Sequence, residues 1–385
     1  MDVIGLRDLL SELERRPGPA GLTAHPITFV DLDELESLSP DEAAVLDHRL
    51  PDDLRVYVGI RTRPLPTPLI GPGQQILERL TTTVSPWVGA LPGGTPEGRQ
   101  SAISASVRVE DPMRTAEAIA AQAERTPDAV LIMDTALRIA ERAAARETLI
   151  LESNWYTSLL AGPEYEARLA MGGQITGPPA EVEVTREDDQ RIVTISWLTP
   201  RSGMDHAVRV AVAKALREAR DDHQATIELR AEGPDFCAEA IPDDNTQRDR
   251  NVYLRRLREH PGVAAWLVHR RLCAHVQGSV TSAGLELAAF ARYISAAQDA
   301  RFSVPHLAFG LCFGAGGTVS LTRRIGRWRT AYLALTGAQI DAATALRWGL
   351  VDAVGEEEGP MGPAHLDGAT MDPEIMATTS ASWLR

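Results

Sequence analysis

The alternation of apolar and polar residues changes period along this chain, and each change predicts a different element. Around Leu6–Arg15 apolar residues recur at helical spacing. A short apolar run, Ile27-Thr28-Phe29-Val30, and a strand-like run, Arg55-Val56-Tyr57-Val58-Gly59-Ile60, follow. Proline-rich turns separate them, above all Pro64-Leu65-Pro66-Thr67-Pro68, so that turn signals outweigh periodicity over residues 1–100.

From Asp111 the pattern becomes helical. Asp111-Pro112 opens an alanine-rich helix, and Thr126-Pro127-Asp128 supplies a cap and a first-turn proline for another. Helices continue to about Ala170, and Gly172-Gly173 with Gly177-Pro178-Pro179 reads as a linker. Beyond it, Val182-Glu183-Val184 and Ile192-Val193-Thr194-Ile195-Ser196-Trp197 alternate as paired strands about the turn Glu187-Asp188-Asp189. Residues 205–219 return to helical spacing, and Ala225-Thr226-Ile227-Glu228-Leu229-Arg230 is strand-like again. Strand, helix, strand implies a right-handed parallel crossover. No fixed-period repeat is present, and residues 355–372, rich in Gly, Pro and Glu, read as loose chain.

A length of 385 residues suits two domains, each with its own core. A hydrophobic share of 44% and a charged share of 24% are ordinary for globular proteins. No apolar run is long enough to span a bilayer, and residues 1–30 lack a secretory pattern, so a cytoplasmic enzyme without membrane attachment is expected. A net charge of −14 argues against nucleic acid as a partner, while 39 basic residues leave room for a local anion site. Cys237, Cys273 and Cys312 are odd in number, widely spaced and outside any CxxC, which points to buried thiols and neither disulfides nor a metal site.

Three segments carry chemistry. The first is Gly233-Pro234-Asp235-Phe236-Cys237-Ala238-Glu239-Ala240. The second is Val276-Gln277-Gly278-Ser279-Val280-Thr281-Ser282-Ala283-Gly284-Leu285-Glu286-Leu287, a turn of small residues entering a helix. The third holds Phe302-Ser303-Val304-Pro305-His306 and Gly314-Ala315-Gly316-Gly317-Thr318, then Thr322-Arg323-Arg324-Ile325-Gly326, Leu335-Thr336-Gly337 and Trp348-Gly349-Leu350-Val351-Asp352. In order and spacing, over about residues 182–354, these resemble the crotonase family, the enoyl-CoA hydratase/isomerase superfamily.

The resemblance implies an α/β fold with a crotonase-like ββα spiral core in the C-terminal half and a mainly helical or α+β N-terminal domain. The expected division is an N-terminal extension at 1–178, helical from about 111, an acyl-CoA-binding domain at 179–356, and a short tail at 357–385. It also implies two backbone donors, the Ala240 and Ala283 amides, aimed at a thioester oxygen. Such a donor is worth about 3 to 4 kcal/mol of transition-state stabilisation, and small residues let the backbone approach the carbonyl closely. Where the family commonly has Gly, Gly or Ala, and Asp, this chain has Glu239, Ala240 and Ile241, and Ser282 and Ala283 partly replace glycines.

By the same resemblance Glu286 is the first catalytic carboxylate, one helical turn beyond Ala283, and it moves the proton; without the resemblance it would read as a solvated helix glutamate. Family hydratases carry a second glutamate where His306 stands. An imidazole ordinarily titrates near neutral pH, so His306 can act as base, acid or a hydrogen-bonded pocket residue. Gly314-Ala315-Gly316-Gly317 is expected to open a helix whose amides hold a water or polarise the substrate. Ala238, Arg201, Gly316 and Arg323 are the candidates for contacts with coenzyme A; Arg324 is weaker, and for each arginine a structural ion pair is the competing reading. His206 and His275 are isolated. Residues 149–160, with Glu152 and Tyr156, resemble an N-terminal extension of some actinobacterial-type members and are expected to serve packing or oligomerisation.

The favoured expectation is an acyl-CoA hydratase or isomerase, a homotrimer or dimer of trimers with no cofactor beyond the substrate's coenzyme A moiety. In it the N-terminal domain stands in for the family's trimer-building C-terminal helices. Two other readings stay open: a cofactor-independent dioxygenase or a C–C or thioester-cleaving enzyme on an (aryl)acyl-CoA, and a non-catalytic acyl-CoA-binding scaffold.

Overall fold

In the computed structural model, the described residues are 1–15, 26–50, 55–63, 72–86, 105–171, 181–187, 192–198, 206–238 and 252–355. The proposed linker, residues 172–180, and the tail from 356 lie outside them, as do Arg201, Glu239, Ala240 and Ile241.

The first strands are β1 (Val3–Gly5), β2 (Ile27–Asp31), β3 (Val56–Ile60), β4 (Thr82–Pro86) and β5 (Val107–Val109), joined edge to edge in that order with every pair parallel. In the chain α1 (Leu6–Arg15), α2 (Pro40–Arg49) and α3 (Pro72–Arg79) fall between them. The sequence pattern predicts only β2 and β3. The others are hidden for local reasons: β1 and β5 are three residues long, and β4 is threonine, serine and proline around one valine. β3 is buried along its whole length, the pattern of a parallel strand covered on both faces.

Four helices follow, α4 (Pro112–Arg125), α5 (Pro127–Ala140), α6 (Ala145–Leu160) and α7 (Pro163–Ala170). The Asp111 carboxylate accepts the Arg114 amide at 3.0 Å and caps α4 as the sequence predicts. Thr126, by contrast, does not cap α5 with its side chain. Glu164, on α7, does that instead, accepting the Asp128 and Ala129 amides at 2.6 and 3.1 Å.

The remaining elements are β6 (Glu181–Glu187), β7 (Ile192–Leu198), α8 (His206–Arg220), β8 (Thr226–Glu232), α9 (Val252–Glu259), α10 (Pro261–Val268), β9 (Leu272–Val276), β10 (Ser279–Thr281), α11 (Ser282–Ala288), β11 (Tyr293–Ala296), β12 (Arg301–Ser303), α12 (Gly317–Ile325), α13 (Arg327–Thr336), β13 (Ile340–Asp341), α14 (Ala342–Trp348) and β14 (Ala353–Val354). One sheet runs β14-β11-β9-β8-β7-β6, parallel except for the antiparallel β6–β7 pair; a smaller one runs β10-β12-β13. The β7–α8–β8 unit is a parallel crossover, as its alternating periods predict. This is the α/β architecture expected of a crotonase-like core.

One buried apolar cluster runs from Val58 and Val84 through Ile119, Met133 and Leu159 to Val319 and Leu333, so α4–α7 pack directly onto the second half of the chain. Arg327 fastens the same contact with charge. Its guanidinium, 2% exposed, donates to Glu141 at 2.9 Å and to the carbonyls of Leu80 and Glu78 at 2.7 and 2.5 Å. The three cysteines are buried free thiols, and burial pushes that of Cys273 up to about 12. Among the described residues no helix is long and apolar enough to cross a membrane.

Because Arg327→Ala strands buried acceptors at about 1 to 3 kcal/mol each, the variant is expected to unfold at clearly lower urea concentration with an unchanged denaturant slope. A midpoint equal to that of the parent would show that the contact does not hold the two halves together.

Candidate active site

Beyond β8 the chain turns at Gly233 (φ 115°) and runs beside the segment that leads into α11. The Phe236 and Cys237 amides donate to the carbonyls of Gln277 and Ser279, both at 2.9 Å. The Thr281 amide returns a bond to the Cys237 carbonyl at 2.8 Å, and the Asp235 carboxylate accepts the Ser279 amide at 2.7 Å. Two glycines make this approach possible. A Cβ on Gly278 (φ 54°) would meet the Pro234 carbonyl oxygen at 2.1 Å, and one on Gly284 would meet the Cys237 Cβ at 2.3 Å. The two segments singled out as oxyanion loops are thus stitched together. Ala238 is half-buried at the end of the first; Ala240 is not among the described residues. Ala283 is half-buried in the first turn of α11, where a backbone amide has no acceptor within its own helix.

Ser282, just before it, holds φ 48°. A side chain there costs about 1 to 2 kcal/mol that a glycine would not, so the sequence's departure from glycine is a point of backbone strain.

One turn further on, Glu286 is 1% exposed. Its Oε2 accepts the amides of Ala315 and Gly317 at 2.7 Å and of Gly314 at 3.2 Å. Its Oε1 sits 2.9 Å from His306 Nε2. Burial alone would raise the carboxyl's pKa, but the imidazole and the amides outweigh it and hold the group below the usual carboxylate range. His306 opens the short 3-10 turn His306–Phe309, is 8% exposed, and packs against Phe313 with ring centroids 5.4 Å apart. Nε2 is the ring nitrogen turned to the carboxylate and the proton is assigned to it on that ground, although Oε1 has no partner of hydrogen-bond geometry among the described residues. Nδ1 is buried and has no hydrogen-bond partner among the described residues.

A second carboxylate arrives from far away in the chain. Glu152 of α6 is fully buried; its Oε1 accepts the Gly316 amide at 2.7 Å, and its Oε2 accepts the Thr318 amide at 3.0 Å and the Thr318 hydroxyl. His260 Nε2 stands 3.3 Å from Oε1 without hydrogen-bond geometry, and since His260 Nδ1 accepts the Gly262 amide at 3.1 Å, a neutral ring carries its proton on Nε2. Arg256 closes the turn from the other side, donating to the Gly314 carbonyl at 2.8 Å with its guanidinium 3.9 Å from the centre of the Tyr156 ring. Here too glycine is obligatory: a Cβ on Gly314 would lie 2.6 Å from the Tyr156 ring, and one on Gly317 2.7 Å from Glu286 Cγ.

Several expectations change. The amides of the Gly314–Gly317 turn are taken up by Glu286 and Glu152, that of Gly316 by Glu152 Oε1. Residues 149–160 do pack, but they also deliver a carboxylate. Arg324 is structural, bonded to Asp352 and to the carbonyls of Leu350 and Ala291. Arg323 is largely buried, and desolvation brings its guanidinium down to about 10. His206 pairs with Arg255, and His275 with Ser295. Among the described residues no group of three or more His, Cys, Asp or Glu side chains is placed to hold a metal ion. Sequence reasoning missed His260 and the role of Glu152, because contacts spanning 164 and 166 residues leave no local signature.

Residues 201–364 match the family model described as enoyl-CoA hydratase/isomerase. The second half of this chain belongs to the crotonase superfamily. The 2,3-dehydroadipyl-CoA hydratase of Escherichia coli (strain K12) is 27% identical to this crotonase half over 176 residues, 46% of this chain and 69% of that protein. The peroxisomal bifunctional enzyme of Danio rerio is 31% identical over 175 residues, which span 44% of this chain and 23% of that enzyme. The crystal structure of an enoyl-CoA hydratase from Thermoplasma volcanium GSS1 shares 28% identity at a TM-score of 0.40, covering 46% of this chain and 72% of that one.

A depressed carboxyl in the fold stabilises it above the ordinary carboxylate pKa, and that stabilisation fades as pH falls through the lower folded value. Glu286→Gln is therefore expected to cost about 3 to 5 kcal/mol at pH 7, with the gap to the parent narrowing below about pH 4.5. Urea unfolding across pH measures this; a gap independent of pH would refute the charged assignment. Ser282→Gly is expected to raise stability by about 1 kcal/mol, read from the same curves.

Proposed function

We propose that this chain is an enzyme acting on acyl-CoA thioesters, most simply an enoyl-CoA hydratase or double-bond isomerase, with His306 as the group that moves the proton. The observation that carries the reading is the Glu286–His306 contact one turn beyond the Ala283 amide. The Ala283 amide, with that of Ala240, polarises the thioester carbonyl. Glu286 is tied to three amides and weakened as a base, so its part is to orient His306 and to balance the imidazolium. This exchanges the roles the sequence suggests for the two side chains.

In hydration, water adds to the β-carbon and gives a proton to His306 Nδ1; the electron pair of the double bond moves onto the thioester oxygen as enolate. The imidazolium then returns a proton to the α-carbon. In isomerisation the same nitrogen removes a proton from one carbon and returns it to another. Both need one proton carrier in a water-poor site, which is what a buried Nδ1 without a protein partner provides.

The test is incubation with saturated, unsaturated and aryl acyl-CoAs in deuterated water. The expected result is α-hydrogen exchange, with gain of water or migration of the double bond, lowered about 100-fold or more by His306→Ala in a variant that keeps its circular dichroism. Exchange unaffected by His306→Ala would remove His306 from the chemistry. Oxygen consumption would move the assignment to an oxygenase, and no exchange with any thioester would leave a binding role.

A further inference from the structure

The turn that holds Glu286 is itself held from the other half of the chain. Residues 314–318 present their amides in alternation to two carboxylates, those of 314, 315 and 317 to Glu286 and those of 316 and 318 to Glu152. Glu152 is fully buried on α6, whose Tyr156 packs against Gly314, and His260 Nε2 lies 3.3 Å from its Oε1. A buried carboxylate with these partners is an expensive feature that packing alone does not require, since an apolar residue would fill the same space.

We propose that Glu152 is a positioning residue of the active site: it caps α12 in trans, fixes the 314–318 turn, and through that turn sets Glu286 and the orientation of His306. The crotonase half is on this view not competent by itself, because one side of its own catalytic turn is supplied by the N-terminal half. The kinetic part of the claim rests on the reading of His306 as proton carrier; the structural part does not.

The experiment follows the imidazole signals in nitrogen–proton spectra of histidine-labelled full-length protein, with the His306 resonance assigned by His306→Gln. In the parent, His306 is expected as the Nε2-protonated tautomer with a hydrogen-bonded, slowly exchanging proton. Glu152→Ala is expected to shift or broaden that signal, and Glu152→Gln, which keeps the shape but loses the charge, to do so less. Leu149→Ala, a fully buried neighbour on the same helix, is expected to lower stability while leaving the His306 signal in place. In the acyl-CoA assay Glu152→Ala is expected to lower kcat about 10- to 100-fold with KM within about two-fold. Should Glu152→Ala fail to fold, Glu152→Gln carries both measurements. An unchanged His306 signal in the Glu152 variants, or one that moves equally in Leu149→Ala, overturns the proposal. Absence of acyl-CoA turnover in the parent would instead sink the functional reading, with the spectra still deciding the role of Glu152.

Discussion

Five consecutive amides at the start of α12 must find acceptors, and the arrangement of the site follows from where they find them. The first amides of a helix have no partner within it, and their dipoles favour negative charge. In a buried turn water cannot supply the acceptors. Two carboxylates do so here, one from the preceding helix of the crotonase half and one from α6. Glu286 is held as an anion by the amides it satisfies, and Glu152 takes up the remaining two, so the helix start and the carboxylates supply each other's hydrogen-bond partners.

That solution constrains the neighbours. The amides can converge only if no side chain stands in the way, which fixes Gly314 against Tyr156 and Gly317 against Glu286. It also requires α6 to be seated firmly, and the shared apolar cluster, the Glu164 cap on α5 and the buried Arg327 provide that seat. Packing between the halves and the seating of Glu286 are therefore linked: a loosened α6 would withdraw two acceptors from the 314–318 turn.

Legibility in the sequence tracked locality. The strand–helix–strand of β7–α8–β8, the Asp111 cap and the entry into α11 were readable because their causes lie within a few residues of one another. Strands β1, β4 and β5 were not, since short strands leave too few positions for a period and threonine-rich β4 gives no apolar run. Glu286 and His306 were found through motif spacing, and their pairing emerged only in three dimensions. Glu152 looked like any glutamate on a long helix, and His260 like a histidine before a proline. Nothing local separates a glutamate that meets solvent from one that meets two amides and a hydroxyl of a turn on the far side of the fold.

The residue at 306 makes sense once the turn is understood. Glu286 is held below the ordinary carboxylate range, and Glu152 is already present beside the same amides. A carboxylate at 306, placed 2.9 Å from Glu286 as His306 now is, would add repulsion of about 5 to 6 kcal/mol at an effective dielectric near 20. It would have to bind a proton and share it, or be driven out of contact. An imidazole meets no such penalty: its Nε2 is turned to the existing anion, and its Nδ1 is left without a protein partner. A histidine at this position is thus what the charge balance of a two-carboxylate turn favours, and the carboxylate from the N-terminal half and the imidazole in the crotonase half are two parts of one electrostatic arrangement.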